Sequence, residues 1–291
     1  MRIYVKFWGT RGSIPTPGDR TRKYGGNTAC VEVRCGTNLF ICDAGSGIRE
    51  LGDDLLARGT GPMVGHIFFS HAHWDHIQGF PFFGPADRPG NRFLIYGARR
   101  GDDRFYQLLS GQMKSDYFPI GFGALRAEIL ADHLEDGRKE IGEILVESFP
   151  LNHPGGCLAY AFSHRSKKIV YATDNELEVE SGRLESDGQA KLRIANPALV
   201  NFARDADLLI ADGQYSDAEY PAKRGWGHSS CQTAVDLAIQ AGAKQLAIFH
   251  HDPTHADGYV DEIIESCRQR VSSFKCELVV FAAREGMELG V

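Results

Sequence analysis

His71-Ala72-His73-Trp74-Asp75-His76 decides how this chain is read. Four side chains able to ligate a metal stand within six residues, directly behind the apolar run Ile67-Phe68-Phe69. Imidazole and carboxylate at this density suit a borderline ion such as zinc. His71 and His73 can converge on one ion, while Asp75 and His76 point elsewhere and can hold a second. A metal-dependent hydrolase is the first reading, and the rest of the chain must supply the remaining ligands.

Outward from this stretch, one apolar run after another stops at a histidine or an aspartate. Leu39-Phe40-Ile41-Cys42 ends at Asp43, and Leu208-Leu209-Ile210-Ala211 ends at Asp212. Ile144-Leu145-Val146 leads through Phe149-Pro150-Leu151 to His153. Ile169-Val170-Tyr171-Ala172 leads to Asp174, and Leu246-Ala247-Ile248-Phe249 to His250. Short apolar runs bounded by Gly, Pro, Asp or Asn read as buried strands. Layered α/β proteins place their sites just past the carboxyl ends of strands.

The 291 residues are 43% hydrophobic and 24% charged, an ordinary globular composition with length for a large core. No Pro/Ser/Gly-rich linker interrupts them, so a single domain spanning 1–291 is expected. The net charge of −6 argues against a surface that coats nucleic acid. Seven scattered cysteines, with no Cys-x-x-Cys pair, read as reduced, buried thiols of a cytoplasmic protein. No segment resembles a signal peptide or a membrane span.

Ile3, Val5 and Phe7 alternate as in a half-buried strand, and Val31 and Val33 do likewise. Ile48, Leu51, Leu55 and Leu56 have helical spacing, with Gly59 as the stop. A helix starts near Asp75-His76-Ile77, and Phe93–Tyr96 is a strand. Residues 144–174 hold three strands. Ser229 or Ser230 caps a helix through Ala234, Val235, Ala238 and Ile239, which Gly242 closes. A last helix through Val260, Ile263, Ile264, Cys267 and Val271 precedes a strand at Leu278–Phe281. Strands and helices alternate in both halves, as in two packed sheets with helices outside.

His71-x-His73-x-Asp75-His76, followed by His153, Asp174 and His250, resembles the ligand series of the metallo-β-lactamase fold superfamily over nearly the whole chain. The resemblance implies an α/β fold, an αββα four-layer sandwich. It implies two divalent metal ions, zinc first, with manganese or iron as options. His71, His73 and His153 would hold one ion. Asp75, His76 and His250 would hold the other, and Asp174 would bridge them. His251 is the rival to His250. Asp43 has no coordination slot in that scheme and would orient a ligand. Gly9-Thr10, Pro15 and Arg22, together with Gly227-His228-Ser229-Ser230, resemble the phosphodiesterase branch, which includes tRNase Z and cyclic phosphodiesterases. His228 matches the histidine of its His-Ser-Thr motif, with Asp212 as the acidic partner. His228, Asp212 and Asp75 are therefore the expected catalytic residues. The cysteine that true β-lactamases carry is Asp174 here, which disfavours antibiotic hydrolysis.

Two metals about 3.5–4 Å apart suit in-line displacement at phosphorus and supply hydroxide near neutral pH. A histidine side chain, whose unperturbed pKa is roughly 6.5, is the natural proton donor to a leaving oxygen, and His228 is given that role or direct phosphate binding. Ser229 and Ser230 already suffice as caps, so a plain helix-start role competes for His228, and a turn role competes for Asp212. Arg11 and Arg22 can meet a phosphate, with a structural salt bridge as the rival. The segment 84–140 is expected to be a substrate-selecting or oligomerisation insertion. Its Phe105-Tyr106, Met113, Tyr117-Phe118 and Phe122 are candidates for base stacking or a lid, with ordinary core equally open. That segment has nine Lys/Arg and nine Asp/Glu. Phosphate-backbone binding needs excess positive charge. The expected substrate is therefore a small phosphodiester, a cyclic nucleotide or cyclic sugar phosphate, rather than a nucleic acid. The alternatives are a glyoxalase II-like thioesterase, a tRNA 3′-processing endonuclease, and a metal-dependent sensor. A homodimer is the default assembly.

Overall fold

A computed structural model describes residues 2–59, 61–97, 104–134, 136–177 and 191–291. The chain divides into two compact units, Met1–Glu147 with Arg284–Val291, and Ser148–Ala283.

In chain order the first unit runs β1 (Ile3–Gly9), β2 (Cys30–Cys35), β3 (Asn38–Cys42), α1 (Ile48–Arg58), β4 (Val64–Phe68), α2 (Trp74–Ile77), β5 (Arg92–Tyr96), α3 (Arg104–Gly111), β6 (Glu128–Ala131) and β7 (Arg138–Ile141). β8 (Ile144–Leu151) follows. The second unit continues with β9 (Cys157–His164), β10 (Lys167–Ala172), α4 (Pro197–Phe202), β11 (Leu208–Asp212), α5 (Tyr220–Lys223), α6 (Cys231–Ala241), β12 (Gln245–Phe249), α7 (Asp257–Ser273) and β13 (Val279–Ala282). β14 (Glu288–Gly290) returns to the first unit.

The first unit's sheet has the order β14-β1-β2-β3-β4-β5-β6. β1 to β3 pair antiparallel, and β3 to β6 pair parallel. β1 buries Ile3, Val5 and Phe7 while Tyr4, Lys6 and Trp8 lie more open, the alternation of a half-buried strand. The core gathers Ile41, Ile48, Leu51, Ile67, Phe69 and Phe93. Phe105, Met113 and Phe122 join it, so these members of the 84–140 segment are core rather than lid, whereas Tyr117 is exposed. Residues 98–103 and 135 of that segment lie outside the described residues.

The second sheet has the order β13-β12-β11-β10-β9-β8-β7. β10 to β13 are parallel. β11 is buried at all five positions, as expected of a parallel strand covered on both faces. Ser230, not Ser229, caps α6: its side chain accepts from the Thr233 amide, and Gly242 closes the helix at φ 66. Such a cap stabilises by about 1 kcal/mol. All seven cysteines are free thiols, and six are buried. Among the described residues no helix is long and apolar enough to cross a membrane.

Candidate metal centre and phosphoryl-transfer site

Strand ends supply the chemistry in both units, and the backbone there is unusual. Asp43, directly after β3, has φ 61; Asp174, two residues after β10, has φ 43; His250, directly after β12, has φ 62. Non-glycine residues rarely enter this left-handed region, and such positions cluster at functional sites.

In the first unit, the turn after β4 delivers Ser70 and His71, and α2 delivers Asp75 and His76. Asp43 is fully buried and organises them. Its Oδ1 accepts the Ser70 amide at 2.7 Å, and its Oδ2 accepts the Ser70 hydroxyl at 2.8 Å and Nδ1 of His76 at 2.8 Å. The Ser70 hydroxyl also lies 3.0 Å from Nδ1 of His71. A carboxylate only accepts, so the His76 proton sits on Nδ1 and Nε2 carries the lone pair. That Nε2 lies 3.3 Å from Asp75 Oδ2, which also accepts the Ser13 amide at 2.7 Å. His71 and His73 offer ring nitrogens within 4.8 Å of each other, as do Asp75 and His76 their ligand atoms. His73 is exposed and the other three are buried.

The second unit repeats the device. His153 Nδ1 donates to the Gly227 carbonyl at 2.8 Å, and its Nε2 is 3.9 Å from Asp174 Oδ2. His250 Nδ1 lies 3.2 Å from Gln214 Oε1, and its Nε2 is 3.3 Å from Asp174 Oδ1. Each oxygen of Asp174 thus faces a different histidine. His251 turns away, with Nε2 on the Ala283 carbonyl at 2.9 Å, so His250 is the residue beside Asp174.

Three histidines therefore direct a lone-pair nitrogen at a carboxylate oxygen. Two electron-rich atoms at such distances are reconciled by a proton or by a metal cation between them. Buried imidazoles held at Nδ1 and carboxylates with an oxygen to share are the donor set of a zinc-type ion. The residues fit a divalent metal.

His228 stands apart from this pattern. Its Nδ1 meets Asp212 Oδ2 at 2.7 Å, and its ring stacks on His250 with centroids 4.9 Å apart. Asp212 is held in turn by the amides of Gln214 at 2.9 Å and Asn175 at 3.1 Å. Ser229 donates to the Asn175 carbonyl and accepts from Leu177 at 2.9 Å, which ties the loop of Asp174 to that of His228.

Of the two arginines, Arg11 is fully buried with Nε on the Gly25 carbonyl at 2.8 Å, a structural role. Arg22 forms an exposed pair with Asp19. Sequence reasoning missed Ser70, Gln214 and Glu176. Glu176 accepts the amides of Gly225 and Gly227 at 2.8 and 3.0 Å and the Tyr220 hydroxyl at 2.9 Å. Burial pushes the Glu176 carboxyl up, but these hydrogen bonds outweigh it and hold the group below its ordinary range. Its place two residues after Asp174 was the one available signal.

Residues 38–251 match the family model described as the beta-lactamase superfamily domain. The chain belongs to that family. Among curated relatives, ribonuclease Z of Haloarcula marismortui is 23% identical over 99% of this chain and 96% of its own length. Ribonuclease Z of Thermococcus kodakarensis is 27% identical over 91% and 89%. Among solved structures, the metallo-beta-lactamase fold protein YhfI of Bacillus subtilis superposes with a TM-score of 0.69 at 18% identity, covering 100% of this chain and 99% of that one. A diphosphatase of the PhnP family gives 0.66 at 17%, covering 99% and 97%. These structures show the fold, which is the α/β metallo-β-lactamase fold that the resemblance of the ligand series implied. The chain is a metal-dependent hydrolase of that fold.

Proposed function

We propose that this chain is a two-metal phosphodiesterase, and that its substrate is the 3′ end of a tRNA precursor, cut as an endonuclease. The observation that carries phosphodiester chemistry is the buried His228–Asp212 pair at 2.7 Å beside His250. The near-full-length similarity to proteins named ribonuclease Z favours RNA as the substrate. This reverses the preference for a small substrate that charge balance alone gave.

In this reading His71, His73, His153, Asp75, His76, His250 and Asp174 are the residues that would hold two divalent ions, His71, His73 and His153 one and Asp75, His76 and His250 the other, with Asp174 contributing to both; zinc would be the first choice. Such ions polarise a phosphoryl group and provide hydroxide near neutral pH. Asp43, the Gly227 carbonyl and Gln214 engage Nδ1 of His76, His153 and His250, which leaves Nε2 of each as the nitrogen that would serve a metal. Asp212 holds the His228 proton on Nδ1. When the ring also takes up a proton on Nε2, as imidazolium, that second proton is the one available to the leaving oxygen or to a hydrogen bond with the phosphate.

A second reading, a small phosphodiester such as a cyclic nucleotide, is favoured by the nine-to-nine charge balance of residues 84–140 and by the likeness to a diphosphatase of the PhnP family. A metal-loaded sample assayed on a 3′-extended tRNA precursor, on cyclic nucleotides and on bis(p-nitrophenyl) phosphate separates the two. Cleavage of the precursor at its 3′ end supports the first reading. Turnover of cyclic nucleotides with an intact precursor replaces it by the second. Thioester hydrolysis without any phosphodiester turnover removes both.

A further inference from the structure

The loop that precedes His228 presents an aromatic and cationic surface with no part in the chemistry described above. Trp226 is 59% exposed. Lys223 Nζ lies 4.2 Å from the centre of the Trp226 ring and 5.7 Å from that of Tyr215. The Arg224 guanidinium lies 5.9 Å from the Tyr220 ring. Neither cation has a carboxylate partner among the described residues, although the chain as a whole carries a net charge of −6. Two cationic side chains thus stand beside an open indole.

The loop is also held still. The carboxylate of Glu176 takes the amides of Gly225 and Gly227, one on each side of Trp226, and the hydroxyl of Tyr220. Both glycines have φ 86, a conformation other residues adopt at a cost. Two glycines and a buried carboxylate are more than a solvated turn needs. Their effect is to fix the indole two residues ahead of His228.

We infer that Trp226, with Lys223 and Arg224, is a nucleotide platform: the indole stacks on an unpaired base next to the scissile phosphate, and the two cations neutralise the neighbouring backbone phosphate. The inference rests on the reading of this chain as a phosphodiesterase acting on nucleotides. Base stacking on an aromatic side chain is tolerant of sequence, and a cation beside the ring strengthens a site for an anionic nucleotide. Glu176 is a positioning residue for this platform, since it touches the loop backbone and not the ligand.

Binding tests the inference separately from turnover. Metal-loaded protein is titrated with a fluorescein-labelled single-stranded oligoribonucleotide, followed by anisotropy, and with a cyclic nucleotide, followed by calorimetry. Trp226→Ala is expected to weaken nucleotide binding roughly tenfold, and Trp226→Phe to recover most of it. The double variant Lys223→Ala/Arg224→Ala is expected to weaken binding and to lower the salt slope by roughly 0.7, the share of one phosphate on a single strand. Trp226 is exposed, so Trp226→Ala keeps the wild-type unfolding midpoint. Unchanged nucleotide affinity in Trp226→Ala, with the wild type still cleaving phosphodiesters, overturns the platform and leaves the functional reading intact. A wild type that holds both metals yet cleaves no phosphodiester overturns the functional reading instead.

Discussion

The Gly227 carbonyl accepts the Nδ1 proton of His153 at 2.8 Å, so the residue that orients one histidine also sets where the next, His228, begins. A Cβ at position 227 would lie 2.3 Å from His153 Nδ1, and the φ of 86 already disfavours any side chain there. Gly227→Ala should therefore turn the His153 ring. Zinc affinity is expected to fall about 10- to 100-fold, as when an orienting partner is lost. Competition against a chromophoric chelator measures it, and unchanged affinity would show that the orientation of the His153 ring does not govern metal binding.

His228 and Asp212 should separate chemistry from metal binding. His228→Ala is expected to retain both metals and lose about 10²- to 10⁴-fold in kcat. Asp212→Asn keeps the shape but not the charge that fixes the proton on Nδ1, and should also lower kcat with metal content unchanged. Elemental analysis beside steady-state kinetics checks both. Undiminished turnover in His228→Ala removes it from the mechanism.

Asp43 is expected to act through His76. Its oxygens accept three hydrogen bonds, from the Ser70 amide, the Ser70 hydroxyl and the His76 ring. Asp43→Ala removes the carboxylate that keeps the His76 proton on Nδ1, so the proton can move to Nε2. Metal content should drop by about one ion per chain at limiting zinc, because one proposed site loses the partner that orients its histidine.

Strand ends made much of the candidate site legible. Asp43, Asp174 and His250 each follow a run of buried apolar residues, and the residue that leaves the sheet is polar for a reason. The histidine partners were another matter. Gly227 acts through a backbone oxygen, 74 positions from His153, and no side-chain pattern records that. Gln214 reads as a turn residue after Asp212 until its Oε1 is seen beside His250. The short strands β6, β7 and β14 escaped for a similar reason. They have three or four residues each and are largely open, so no apolar period marks them.

His66 gives a pH prediction remote from the proposed metal ligands. Its Nδ1 lies 3.0 Å from the Tyr96 hydroxyl, which donates to Asp132 at 2.9 Å, and Lys139 joins the same carboxylate at 2.7 Å. Burial lowers the pKa of His66 from 6.5 to about 4, against the pull of Asp132. The unfolded chain therefore binds a proton between those values that the folded chain does not. Stability from this group is complete above pH 6.5 and is lost as pH falls toward 4. Urea unfolding at pH 7 and pH 5 should show a larger loss in the wild type than in His66→Asn. Parallel losses would refute the assignment.

Metal analysis coupled to hydrolysis tests the central claim most directly. Purified protein loaded with zinc is assayed for bound metal and for cleavage of a 3′-extended tRNA precursor and of bis(p-nitrophenyl) phosphate. The account predicts two ions per chain and phosphodiester turnover that disappears together with metal in Asp174→Ala. Two ions per chain with no phosphodiester cleaved, or full two-metal occupancy in Asp174→Ala, would contradict it.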